Sequence, residues 1–369
     1  MREGISMAGF VRHKISMRVM MFRPSIRDRG IDIARQAYRA TLALALLLLF
    51  AGQAAIAQTD SASRADARAA LEQRVLDIVN MFQNDSRYNR RPPQQVKDGV
   101  EFVTGNVLFV LAHETGHALI SEMGIPVLGR EEDAADSLAT IVAVKMTNSF
   151  ADRVVVNAAR GWFLSDQRDR KQGIPGAFYD EHGMDLQRAY HIVCLLVGGA
   201  PEKFKGLADE VKLPKGRQNT CQFDWSNASW SWEQLLKPHL RKPGDPRTTI
   251  KVTYVPSAEF ATLGELGQKL QILETVAEWL SDDFVWKTPI SLEMRECGGP
   301  NARWIPGPKK IEICYELIRE FVQLHRAWGQ AELVPGSMRM TKNKKIVLMP
   351  KPASGKTGNW KSFRPERAR

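Results

Sequence analysis

Apolar residues recur every three to four positions through most of the chain and alternate in only a few short runs beyond its middle. Leu71, Val75, Ile78, Val79 and Phe82 predict an amphipathic helix over 64–83. A turn-rich break follows at 84–95, with Arg91-Pro92-Pro93 inside it. The next run, over about 99–123, contains no proline, and Gly124 with Pro126 supplies a stop signal, so a long helix is predicted there. Ala135, Leu138, Ala139, Val142 and Met146 predict another over 131–147. Two more are predicted over 151–169 and 183–198, separated by a Gly/Pro-rich loop at 173–178. From 206 onward the texture changes. Residues 248–255 alternate like a strand, and 258–281 read as one helix. Strands are predicted over 290–294 and 311–313 around a Gly/Pro-rich connection, and a last helix over 315–329. The expected fold class is therefore α+β, mostly helical, with a small sheet in the C-terminal part.

Composition adds little until the charge is located. The chain is 44% hydrophobic and 25% charged, as globular proteins are, and its net charge is +11. Residues 1–57 hold nine Lys/Arg against three Asp/Glu, and residues 336–369 hold ten against one. The stretch between them is net acidic, so no nucleic-acid partner is expected for the core. In the first segment Arg35 and Arg39 precede an apolar run at 42–50, and Ala55-Ile56-Ala57 then forms a small-residue cleavage signature. This is the layout of a signal peptide, with Met17, Met20 and Met21 as alternative starts. The expected location is periplasmic or secreted, and an uncleaved membrane anchor is the alternative. The expected organisation is a signal segment (1–57), a helical segment with linker (58–97), a catalytic-type domain (98–335, with a helical half to 205 and a mixed half from 206) and a basic tail (336–369) without core residues. Such a tail can contact an anionic envelope surface. Ser354-Gly355-Lys356-Thr357 is half a phosphate loop, but Pro350 stands where glycine is required.

Four cysteines, an even count in an exported chain, read as two disulfides. The local pairing, Cys194–Cys221 and Cys297–Cys314, is preferred because each closes a short loop.

The chemistry lies in His113-Glu114-Thr115-Gly116-His117, inside the predicted helix at 99–123. Residues four apart share a helix face, so the two imidazoles can reach one metal ion, and Glu114 stands beside them as a general base. Two histidines do not complete a catalytic zinc site, which takes three protein ligands and an open position. Four acids among residues 131–136 open the next helix, more than capping requires. Glu132 is the expected third ligand, with Asp133 and Asp136 as competitors. Asp136, one turn on, is expected to hold the far nitrogen of a liganding histidine, His113 first.

His113-Glu114-x-x-His117 followed by Glu132-x-x-x-Asp136 resembles the gluzincin group of zinc metallopeptidases, although the gap between the second histidine and the glutamate is shorter than in thermolysin. More closely, the chain resembles DUF4344, a bacterial family whose metallopeptidase activity is itself inferred. The similarity rests on the stretches 126–136, 179–183, 187–190, Cys297-Gly298-Gly299-Pro300-Asn301-Ala302 and Cys314-Tyr315-Glu316. It spans roughly 98–330 and implies a zincin-like domain that binds Zn2+ and takes a peptide or protein substrate.

A peptidase also needs a group to hold the developing oxyanion. His182, with Asp180 beside it, is the first candidate, and a plain turn residue is the competing reading. Tyr179, Tyr190 and Arg188 are further candidates for the oxyanion or substrate, Arg188 having Asp180 or Glu181 as simpler partners. Asn301 is a turn residue or a substrate contact, and His191 reads as a core histidine. Phe223, Trp225, Trp230 and Trp232 form either a hydrophobic subsite or a satellite core under a loop. The leading expectation is a zinc metallopeptidase. The alternatives are an envelope protein with a structural metal site and a hydrolase of non-peptide amides.

Overall fold

A computed structural model describes residues 69–86 and 91–328. The signal-like segment, the basic tail and its half phosphate loop lie outside the described residues. The chain opens with helices α1 (69–84), α2 (Pro93–Met123), α3 (Glu131–Lys145), α4 (Ser149–Gln172) and α5 (Asp185–Gly199). Then come α6 (Pro201–Glu210), the single turn α7 (Lys215–Gln218) and α8 (Cys221–Leu236). The last part mixes β1 (Lys251–Tyr254), α9 (Ala261–Leu270), α10 (Ile272–Asp283), β2 (Ser291–Arg295), β3 (Ala302–Ile305), β4 (Lys310–Cys314) and α11 (Tyr315–Trp328). The fold is α+β and mostly helical, in line with the hydrophobic pattern.

Helix α2 organises the rest. Pro93 begins it, where a missing N–H costs nothing, and Gly124 ends it in the left-handed conformation at φ 66°. Its residues are apolar almost all round, which is the mark of a helix covered on every side. It packs against α3, α4, α11, β3 and β4. Phe102, Leu111 and Leu119 join the core built on Leu292, Ile311 and Ile313 of the sheet. Phe109 joins a second core with Val155, Phe163, Ile192 and Leu196 from α4 and α5. Two glycines leave room where helices meet. A Cβ on Gly116 would lie 3.0 Å from Cα and Cβ of Ala135, so α3 can approach the metal-binding turn of α2. A Cβ on Gly161 would lie 2.0 Å from the Asn106 Oδ1, a clash that any other residue would bring.

The sheet runs in the order β1-β2-β4-β3, with β1, β2 and β4 parallel and β3 an antiparallel edge strand. Disulfides join Cys194 of α5 to Cys221 at the start of α8, and Cys297 before β3 to Cys314 at the end of β4. Among the described residues no helix is long and apolar enough to cross a membrane.

Several elements differ from the expected pattern: α2 begins at Pro93 inside the predicted break, and α6 lies where no helix is predicted. The predicted helix over 258–281 is two helices, because Gln271 adopts the left-handed conformation at φ 50° and ends α9. The apolar spacing runs through that break, which is why it reads as continuous. Strand β3 was hidden in a connection rich in Gly and Pro. The Trp-rich stretch forms helix α8: Trp232 is buried and donates from Nε1 to the Ala134 carbonyl at 3.1 Å, while Phe223 and Trp230 are exposed.

Candidate metal centre

The interior of α2 and the first turn of α3 meet at one point. The Nε2 atoms of His113 and His117 face each other at 3.1 Å. Glu132 of α3 bridges them, 3.0 Å from the first ring and 3.3 Å from the second. The far nitrogens are both occupied: Nδ1 of His113 lies 2.8 Å from the Asp136 Oδ1, and Nδ1 of His117 lies 2.8 Å from the Glu131 Oε1. With Nδ1–H donated to a carboxylate, each ring turns an Nε2 lone pair inward. Two imidazoles and a carboxylate converging at this distance can hold a cation between them. Tetrahedral bonds of 2.0–2.1 Å put donor atoms about 3.3 Å apart, close to what is seen. His113, His117 and Glu132 therefore form a cluster able to hold a metal ion. Among the described residues the other close group, Cys297, Glu312 and Cys314, has both its thiols in the disulfide.

Electrostatics follow from the crowding. Burial opposes charge on His117, but Glu132 and Glu131 outweigh it and push the imidazole up to about 9. His113 is raised too, Asp136 and Glu132 prevailing over burial. Burial resists ionisation of Glu132, yet hydrogen bonds from the three histidines hold its carboxyl far below the ordinary range. A metal ion held by these rings would displace protons from them.

Asp136 is held in turn by Arg188. The guanidinium donates from Nε to Oδ2 and from Nη2 to Oδ1, both at 2.8 Å, and stacks 3.8 Å from the centre of the Trp162 ring. It thus pairs with Asp136, not with Asp180 or Glu181. Both members are buried, so the pair is a fixed bidentate clamp behind His113. Arg188→Met should leave Asp136 buried with one partner lost. Metal affinity, read by competition with a chromophoric chelator, is expected to fall about 10- to 100-fold. Arg188→Lys should recover only part of it, since an ammonium makes no fork.

Glu114 sits beside the cluster, 7% exposed. Its Oε2 accepts a 2.8 Å hydrogen bond from the backbone N–H of Trp304 on β3. Burial pushes its carboxyl up, against the pull of the two histidines and that N–H. A cavity of about 170 Å3 opens next to it, lined among others by His113, Glu114, Trp162, His182, Arg188 and Asn301. The Asn301 wall is fixed by the Cys297–Cys314 disulfide and by Glu316, which accepts from the N–H groups of Cys297 and Gly298.

His182 reaches the cluster from the loop before α5. Its Nε2 lies 3.1 Å from the Glu132 Oε2 and its Nδ1 2.9 Å from the Asp180 Oδ1. Glu132 first, then Asp180, push it up to about 9 against burial. The tyrosines stand elsewhere. Tyr179 is 94% exposed, and Tyr190 donates to the Val211 carbonyl with its ring edge-on to Phe163. His191 is half-buried and bonded to Ser137 at 2.9 Å, and none of Phe223, Trp225, Trp230 or Trp232 lines the cavity.

The model of the DUF4344 family, described as "Putative metallopeptidase", matches residues 72–236 and 255–348. The chain belongs to the DUF4344 family. No curated protein and no solved structure matches it. The DUF4344 match takes in both α2 and α3, which carry the cluster, and β3, which holds Glu114. The family description, a putative metallopeptidase, and the His-His-Glu cluster agree on a metal-binding site. Two contributors have no signal in the sequence: the Trp304 N–H, a backbone group with no side-chain signature, and Trp162, which lacks any local partner along the chain.

Proposed function

We propose that this chain is a zinc-dependent endopeptidase working outside the cytoplasm, with His113, His117 and Glu132 as ligands and Glu114 as general base. The observation that carries this reading is the convergence of two imidazole lone pairs and one carboxylate beside a buried glutamate that opens on a cavity. Two nitrogens, one carboxylate and no thiolate suit zinc. When bound, zinc lowers the pKa of water and polarises a carbonyl. Glu114, raised by burial, takes the proton from the attacking water and returns it to the leaving amine. Asp136 and Arg188 hold the His113 ring in its liganding tautomer. His182, anchored by Asp180, would donate from Nε2 toward the oxygen that gains charge once that nitrogen leaves the Glu132 Oε2 it now faces. The two disulfides favour the periplasm or the exterior, where the signal-like segment would deliver the chain. The basic tail would rest on an anionic envelope surface.

A second reading takes His182 as a fourth ligand, because its Nε2 already stands 3.1 Å from Glu132. The site would then be closed and structural. The full chain, incubated with a mixed-peptide library and read by mass spectrometry, should cut internal peptide bonds, stop when chelated and resume with zinc. Zinc binding without cleavage would favour the closed site.

A further inference from the structure

The N-terminal half of α2 borders a second cavity that takes no part in the metal centre. It has a volume of about 270 Å3 and lies among α1, α2, α9 and α11. Its wall is mostly apolar, with Ile78, Val96, Val103, Leu266, Ile272 and Ile318 among its residues, and Thr104 and His325 are its inner polar members. The lining residues exposed to solvent are Arg91, Gln95, Thr262 and Arg326, and these mark where the cavity reaches the surface. No carboxylate of the described residues lines it, and neither arginine pairs with a carboxylate of the described residues. Asp98 acts on His325 from outside the lining. With no acidic residue in its wall and two exposed arginines at its opening, it differs from the metal-site cavity, whose wall includes Glu114, Glu320 and the ligand His113. A fully apolar cavity of about 150 Å3 holds one benzene ring, so this one has room for roughly ten chain carbons.

We propose that this cavity binds the alkyl chain of a single-chain carboxylate of about ten carbons, with Arg91 and Arg326 on its head group. Burial of the chain draws on the hydrophobic effect, and the planar guanidinium forks match a carboxylate. Charge argues against the basic tail as occupant, because 336–369 carries ten Lys/Arg against one acid and would face two more cations. It argues equally against cationic amphiphiles. The site is independent of the metallopeptidase reading and stands or falls by itself.

The test uses the full chain, stripped of bound lipid on a hydrophobic resin and titrated with decanoate by calorimetry. Decan-1-ol and decyltrimethylammonium are the comparators. Saturable one-to-one binding of decanoate is expected, with the alcohol and the cation at least tenfold weaker. The exposed double variant Arg91→Glu/Arg326→Glu should weaken decanoate at least tenfold with an unchanged circular dichroism spectrum. Val103→Trp should remove binding by filling the cavity. If the full chain shows no saturable binding, the proposal is overturned, whether the cavity is closed or filled by residues after Trp328. Equal affinity for decanoate and decan-1-ol, or no change in the double-glutamate variant, also overturns it, since the arginines would then recognise nothing.

Discussion

Glu114→Gln is expected to lower kcat/KM for peptide cleavage by about three orders of magnitude while metal content and thermal stability stay near those of the parent. The substitution is close to isosteric in a site that is 7% exposed. The glutamine carbonyl can still accept the Trp304 N–H, now at 2.8 Å, so β3 and α2 should keep their contact. What is lost is the capacity to take a proton and give it back. The metal ligands are other residues, so occupancy should be untouched. A steady-state assay on a peptide found by the library screen, run beside metal quantification, measures both halves of the expectation. Full activity in the variant would remove Glu114 from the mechanism.

His117→Ala is expected to weaken metal binding by at least about a thousandfold, because one of three protein donors disappears and the remaining two cannot close the site. The variant also strips Glu131 and Glu132 of a partner, so their like charges face each other across a gap that a water must fill. Activity should vanish with the metal. His191→Ala is the control. Its ring bonds Ser137 on the neighbouring turn of α3 but offers nothing to the cluster, so metal affinity should remain within about twofold. Competition against a chelator of known affinity separates the two variants.

Much of this molecule is legible in local patterns along its sequence. The i, i+4 spacing of His113 and His117 and the acid-rich start at 131–136 are both written within one or two helical turns. Helices α3, α4, α5 and α11 show in their apolar spacing to within a few residues, while α2 begins at Pro93, inside the break that Arg91-Pro92-Pro93 suggests. What escapes such patterns is non-local or carried by backbone. Arg188 reaches Asp136 across 52 positions, and the acids next to it in sequence offer a nearer partner that the fold does not use. The Trp304 N–H meets Glu114 across 190 positions, and a backbone donor leaves no trace in residue type. Strand β3 owes its existence to pairing with β4, not to its own alternation. Gln271 adopts a left-handed conformation that glycine would ordinarily announce, so the break between α9 and α10 has no signal.

X-ray absorption at the metal edge of the purified full chain tests the central claim most directly. Zinc with two imidazole nitrogens and oxygen donors at about 2.0–2.1 Å and no sulfur is the expected result. A shell with three imidazoles, or with sulfur at about 2.3 Å, would contradict an open site made by His113, His117 and Glu132.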